Sequence, residues 1–205
     1  VNRAKELNMT SMAITDHGAM YGVVEFFKQA KKAGIKPILG FEAYVSPRGM
    51  MDKDPQKDKS QFHLVLLAEN YEGYKNIIKL CSIGFVDGYY YKPRIDHETL
   101  RQYSKGIIAL SACLAGEVQS YLLDNNYEEA LRTALMYKDI FGENNFFLEM
   151  QDHGMEEQKR VNKALVKISR ETGLGLVATN DVHYINKEDA YFHDVLLCIQ
   201  MQKTV

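Results

Sequence analysis

The chain has 205 residues, 46% of them hydrophobic and 25% charged, which is too apolar for a disordered segment and too interrupted by charge for a membrane span. Its formal net charge of -2 excludes a globally basic nucleic-acid binder, while a local basic groove stays compatible with it. Three widely spaced cysteines make no disulfide framework and fit a reducing, cytoplasmic compartment.

Residues 1–7 read as the middle of an amphipathic helix, so the chain is expected to be a fragment of a longer protein, cut inside an element. A first strand follows at 11–15, then a helix at 22–32 stopped by Ala33-Gly34, then a strand at 37–45. Residues 46–60 hold two of the four prolines among alternating Asp and Lys and read as a long exposed loop. A strand at 62–68 and a helix at 71–81 lead to a tyrosine-rich, basic insertion at 86–96. Beyond it come a short helix at 98–103, a strand at 106–111, a helix at 127–141 and a strand at 146–151. A helix at 156–171 ends on Thr172-Gly173, and a strand at 176–180 and a helix at 187–200 complete the pattern.

Alternation of apolar runs with amphipathic segments is the signature of βα units. Strands that are nearly continuously apolar imply a sheet covered on both faces and therefore a parallel one. Six strands, with a seventh expected before Val1, predict an α/β fold built as a distorted, closed or nearly closed barrel.

Ligand-type residues sit at one end of nearly every strand. Asp16 and His17 follow the first, Glu42 lies within the second, and His63 enters the third. Cys113 follows the fourth, Glu149 lies within the fifth with His153 just after it, and Asp181 and His183 follow the sixth. Taken singly, Asp16 reads as a helix cap and Cys113 as a small buried hydrophobe. Glu42 differs, because a carboxylate inside so apolar a run is costly unless it is paired or bound to a cation. Imidazole, carboxylate and thiolate together suit Zn, Mn or Fe, and so many donors imply a cluster of ions. Clustered divalent ions point to phosphoester hydrolysis.

Thr15-Asp16-His17-Gly18, Gly40-Phe41-Glu42, Ser111-Ala112-Cys113 and Asn180-Asp181-Val182-His183-Tyr184 resemble the polymerase-and-histidinol-phosphatase (PHP) family. Leu148-Glu149-Met150-Gln151-Asp152-His153-Gly154 and Gly88-Tyr89-Tyr90-Tyr91-Lys92-Pro93-Arg94 look more narrowly like the form of that domain found at the start of bacterial replicative DNA polymerases. The resemblance spans essentially all 205 residues, read as one PHP domain. It implies a TIM-like, seven-stranded barrel with up to three divalent ions, held here by His17, Glu42, His63, Cys113, Asp181 and His183. The family's opening His-x-His pair has no counterpart and is expected upstream of Val1.

Asp16, Glu149, His153 and Arg94 are the expected catalytic residues, with Arg94 weightier than Lys92 in orienting a phosphodiester along 89–94. The implied activity is a metal-dependent 3′→5′ exonuclease inside a DNA-directed DNA polymerase, the polymerase chemistry lying beyond Val205. The implied partners are DNA (a primer 3′ end or single strand), the remaining polymerase domains and a separate proofreading subunit, with no membrane. Two alternatives remain: a non-catalytic module that stabilises the polymerase and docks the proofreading subunit, and a small-molecule phosphatase.

Overall fold

The computed structural model describes residues Val1–Thr204. In chain order the elements are α1 (Asn2–Glu6), β1 (Ser11–Ile14), α2 (Val23–Ala33), β2 (Lys36–Val45), β3 (Phe62–Ala68), α3 (Tyr71–Val86), β4 (Arg94–Ile95) and α4 (His97–Tyr103). They continue with β5 (Ile107–Leu110), α5 (Glu117–Leu123), α6 (Tyr127–Phe141), β6 (Phe146–Met150), α7 (Glu156–Thr172), β7 (Gly175–Ala178), a 3-10 turn (Lys187–Asp189) and α8 (Ala190–Met201). Caps set several boundaries. The Asn70 side chain accepts the Gly73 N–H at the start of α3, and Asp96 accepts the Thr99 N–H at the start of α4. Gly34 and Gly173 end α2 and α7 in the left-handed conformation.

The sheet runs β1-β2-β3-β5-β6-β7, with the short β4 paired to β2, and curls into a half-barrel of the distorted TIM-like type. β1 and β7 are not paired with each other, so the curl is open between them. The expectation of a wholly parallel sheet needs correction. β3 is antiparallel to both β2 and β5, while the other pairings are parallel. The connection accounts for it: no helix lies between β2 and β3, and a return without a crossover helix ordinarily gives an antiparallel neighbour. β4 lies in the stretch whose composition reads as an insertion, and α5 falls outside the predicted helices.

Strand alternation divides the core. Leu64 and Leu66 face the helices together with Leu80, Ile107, Phe146, Leu148 and Leu165. Val65, Leu67, Leu110 and Phe147 fill the inside of the curl. α3 crosses close to the turn before β5, where a Cβ on Gly73 would come 1.6 Å from the Gly106 carbonyl oxygen. No helix among the described residues is long and apolar enough to cross a membrane.

Candidate metal centre

The period of two that puts Val65 inside the curl puts His63 there as well, and the β2–β3 register pairs Glu42 with Val65 and Tyr44 with His63. On β6, Glu149 shares the inner face with Phe147. β1, β2, β5, β6 and β7 bring their ligand-type residues to this rim at or near their C-terminal ends. β3, running the other way, delivers His63 from its beginning. The reversed strand is why a histidine at the head of an apolar run belongs with ligands at the ends of the others.

Backbone bonds extend the sheet into the rim loops. Glu42 N–H donates to Asp16 O at 3.0 Å and Gly18 N–H to Glu42 O at 2.8 Å, locking His17 beside Glu42. His63 N–H donates to Ala115 O at 3.0 Å, which sets the Cys113 loop against β3.

Glu42, His17 and His63 then converge: one ligand atom from each lies within 4.8 Å of the other two. His63 Nδ1 is 2.5 Å from Glu42 Oε1, and His17 Nε2 is 3.6 Å from Glu42 Oε2. Cys113 Sγ approaches His63 Nδ1 at 3.7 Å, and the His183 ring centroid lies 5.6 Å from that of His17. His183 Nδ1–H donates to Asp181 O at 2.8 Å, because a carbonyl can only accept, and this leaves Nε2 as the lone-pair nitrogen. Asp181 itself has a left-handed backbone, φ 45°.

Electrostatics bind the group together. Burial raises the Glu42 carboxyl, but the hydrogen bond and charge of His63, with the charges of His17 and His183, outweigh it and hold Glu42 below its ordinary value. Burial lowers the His63 imidazole, yet the bonds to Cys113 and Glu42 prevail and push it up to about 9. A buried carboxylate, two or three imidazoles and a thiol form a donor set that fits a borderline divalent ion such as Zn, Mn or Fe.

The expected catalytic residues are placed differently. Asp16 Oδ2 accepts the Gly22 N–H at 3.0 Å, the cap-like bond that a carboxylate before a helix ordinarily makes. Glu149 is 5% exposed and receives the Ala112 N–H at 3.1 Å, Gln151 Nε2 at 3.2 Å and the Thr179 hydroxyl. It therefore ties together the ends of β5, β6 and β7. Burial, then the charges of Asp181 and Glu42, raise its carboxyl against the Thr179 and Gln151 bonds. His153 bridges two loops, its Nε2–H donating to Asn180 O at 2.8 Å and its Nδ1 accepting from Gln158 Nε2 at 2.9 Å.

Arg94 is the clear correction. It is 0% exposed, and its guanidinium donates to the carbonyls of Gly88, Asp58, Met50 and Asp52. A group so engaged cannot orient a phosphodiester. The loop 46–60, exposed over most of its length as its composition predicts, is what it holds from beneath, helped by the bidentate Arg48–Asp58 pair. Tyr44 joins the site although its sequence context does not single it out: its ring packs edge-on to His63 at 5.3 Å and lies 6.4 Å from His17. Its place two residues after Glu42 on one strand was the available signal.

The chain is 48% identical over 200 residues to the DNA polymerase III subunit alpha of Borreliella burgdorferi, covering 97% of this chain and 17% of that protein. The Thermus aquaticus protein of the same name is 47% identical over 199 residues, covering 95% of this chain and 16% of the relative. The chain thus spans about a sixth of the length of these relatives. Among solved structures, an amidohydrolase from Chromobacterium violaceum aligns with a TM-score of 0.53 at 14% identity, covering 89% of this chain and 80% of that one. A protein from Bifidobacterium adolescentis assigned as a metal-dependent phosphoesterase aligns with a TM-score of 0.51 at 14% identity, covering 96% and 88%. Both likenesses concern the fold alone. The PHP domain family matches residues 1–153, three quarters of the chain and all of the His17, Glu42, His63 and Cys113 rim, and the chain belongs to that family.

Proposed function

We propose that this PHP domain is a metal-dependent phosphoesterase that removes nucleotides from the 3′ end of DNA, as part of a cytoplasmic replicative polymerase. The observation that carries the reading is the convergence of His17, Glu42 and His63 from three neighbouring strands. The similarity to polymerase III alpha subunits supplies the DNA context. His17, Glu42, His63 and Cys113, with Asp181 and His183 across the rim, would hold up to three divalent ions. When bound, such ions supply the Lewis acidity for displacing an oxygen from a phosphodiester. Asp16, Glu149 and His153 serve as positioning residues, fixing the loops that carry the ligands.

A second reading, a module that stabilises a polymerase and meets its other domains or a proofreading subunit, draws on α8. Tyr191, Phe192, Leu196 and Ile199 on that helix are each more than 60% exposed. One experiment separates the two. The metal-loaded full-length polypeptide is incubated with single-stranded DNA labelled at its 5′ end. Chelator-reversible shortening from the 3′ end, lost in His63→Ala, supports the exonuclease. Uncut DNA, together with a melting temperature that falls on metal removal, supports the structural module.

A further inference from the structure

We propose that Lys92 is the phosphate-binding cation of this site, an inference that rests on the phosphoesterase reading and assigns the residue that meets the scissile phosphate. The turn that carries it is rigid. Tyr91 turns the backbone at φ 58°, and Tyr90 N–H closes onto Lys92 O at 3.0 Å. Arg94, two residues on, is buried and anchors the turn to the carbonyls of Gly88 and of Met50, Asp52 and Asp58 in the loop 46–60.

The turn lies against the metal centre. A Cβ on Gly18, the residue after His17, would come 2.7 Å from Tyr44 Cε2 and 3.1 Å from Pro93 Cγ. Lys92 is half-buried, and its Nζ rests 5.3 Å from the centroid of the Tyr44 ring that packs on His63 and His17. Among the described residues it forms no ion pair, whereas Lys105, Lys138, Lys159 and Lys167 each reach a glutamate. The neighbouring arginines are already occupied, Arg94 by carbonyls and Arg48 by Asp58.

An ammonium on a flexible stem, held only by a ring face, can leave that face for an anion at small cost. A phosphodiester seated on the His17–Glu42–His63 group brings such an anion within reach. The unpaired lysine then supplies positive charge and up to three donors to its oxygens.

The test titrates the metal-loaded full-length protein with inorganic phosphate by calorimetry, comparing the wild type with Lys92→Met and Lys92→Arg. The methionine keeps most of the apolar stem against Tyr44 while removing the charge. Phosphate affinity should fall at least about tenfold in Lys92→Met and stay within about threefold in Lys92→Arg. Metal content and melting temperature should not change, and the KM for single-stranded DNA should rise in Lys92→Met. Unaltered phosphate affinity in Lys92→Met, or loss of metal from it, overturns the assignment. A wild type that binds no phosphate overturns both this assignment and the phosphoesterase reading. A wild type that binds phosphate through Lys92 yet leaves DNA uncut overturns the nuclease reading and upholds the lysine.

Discussion

His63 Nδ1 and Glu42 Oε1 stand 2.5 Å apart at the rim of the curl, on neighbouring antiparallel strands. The pair couples the proton occupancy of the site to the stability of the fold. The folded value of His63, pushed up to about 9 from 6.5, means that its contribution to the metal-free protein is full below pH 6.5 and lost as pH rises through about 9. The depressed Glu42 value acts on the other side, contributing above the ordinary carboxylate range and losing its effect on acidification. The melting temperature of chelated protein should therefore fall between pH 6.5 and 9, and His63→Gln should remove that slope. A wild type with no more slope than the variant contradicts the assignment.

Metal uptake must displace the same proton. Ligation needs a neutral imidazole, and at pH 7 the metal-free His63 is charged. Calorimetric titration with zinc in two buffers of different ionisation enthalpy should show about one or more protons released per site at pH 7. Zero net release would mean that His63 is not a ligand.

Glu149 predicts a different kind of loss. Glu149→Ala orphans the buried Ala112 N–H and the Thr179 hydroxyl at the ends of β5 and β7. Unfolding in urea should show a loss of about 2–4 kcal/mol, with metal affinity reduced because Ala112 carries Cys113. Glu149→Gln, which can still accept these bonds, should cost less. Equal losses in the two variants would contradict the account.

Arg94→Ala should act on the loop 46–60 before it acts on chemistry. Four carbonyls lose their donor, so trypsin should cut faster at Lys53, Lys57 and Lys59, and stability should fall by about 3 kcal/mol or more. Arg94→Lys, without the planar fork, should restore little of either. Unchanged proteolysis in Arg94→Ala would return the residue to the surface role that its sequence context suggests.

That context shows where sequence reading stops. Val65, Leu110 and Phe147 announced their strands by apolarity, and Glu42 announced itself as a buried charge in need of partners. Arg94 sits among tyrosines, a lysine and a proline, which is also how an exposed basic turn reads. Only the surrounding carbonyls reveal that it is interior, and these come from residues 36 to 44 positions away as well as from Gly88. β4, two residues long, is too short to carry a period. The reversal of β3 was legible in the missing helix between Val45 and Phe62, yet apolar continuity outweighed it. Glu149 could be named from its motif, but its three donors lie on three elements, and no local pattern distinguishes a ligand from a carboxylate that holds ligands in place.

The central claim is that His17, Glu42 and His63, with Cys113 beside them, hold a divalent ion. X-ray absorption at the zinc edge, on protein equilibrated with zinc and dialysed, tests it most directly. The account predicts a retained ion with imidazole scattering and a single sulfur at about 2.3 Å, the sulfur lost in Cys113→Ser and the ion lost in His63→Ala. Protein that retains no zinc, or a zinc environment unchanged by His63→Ala, would contradict it.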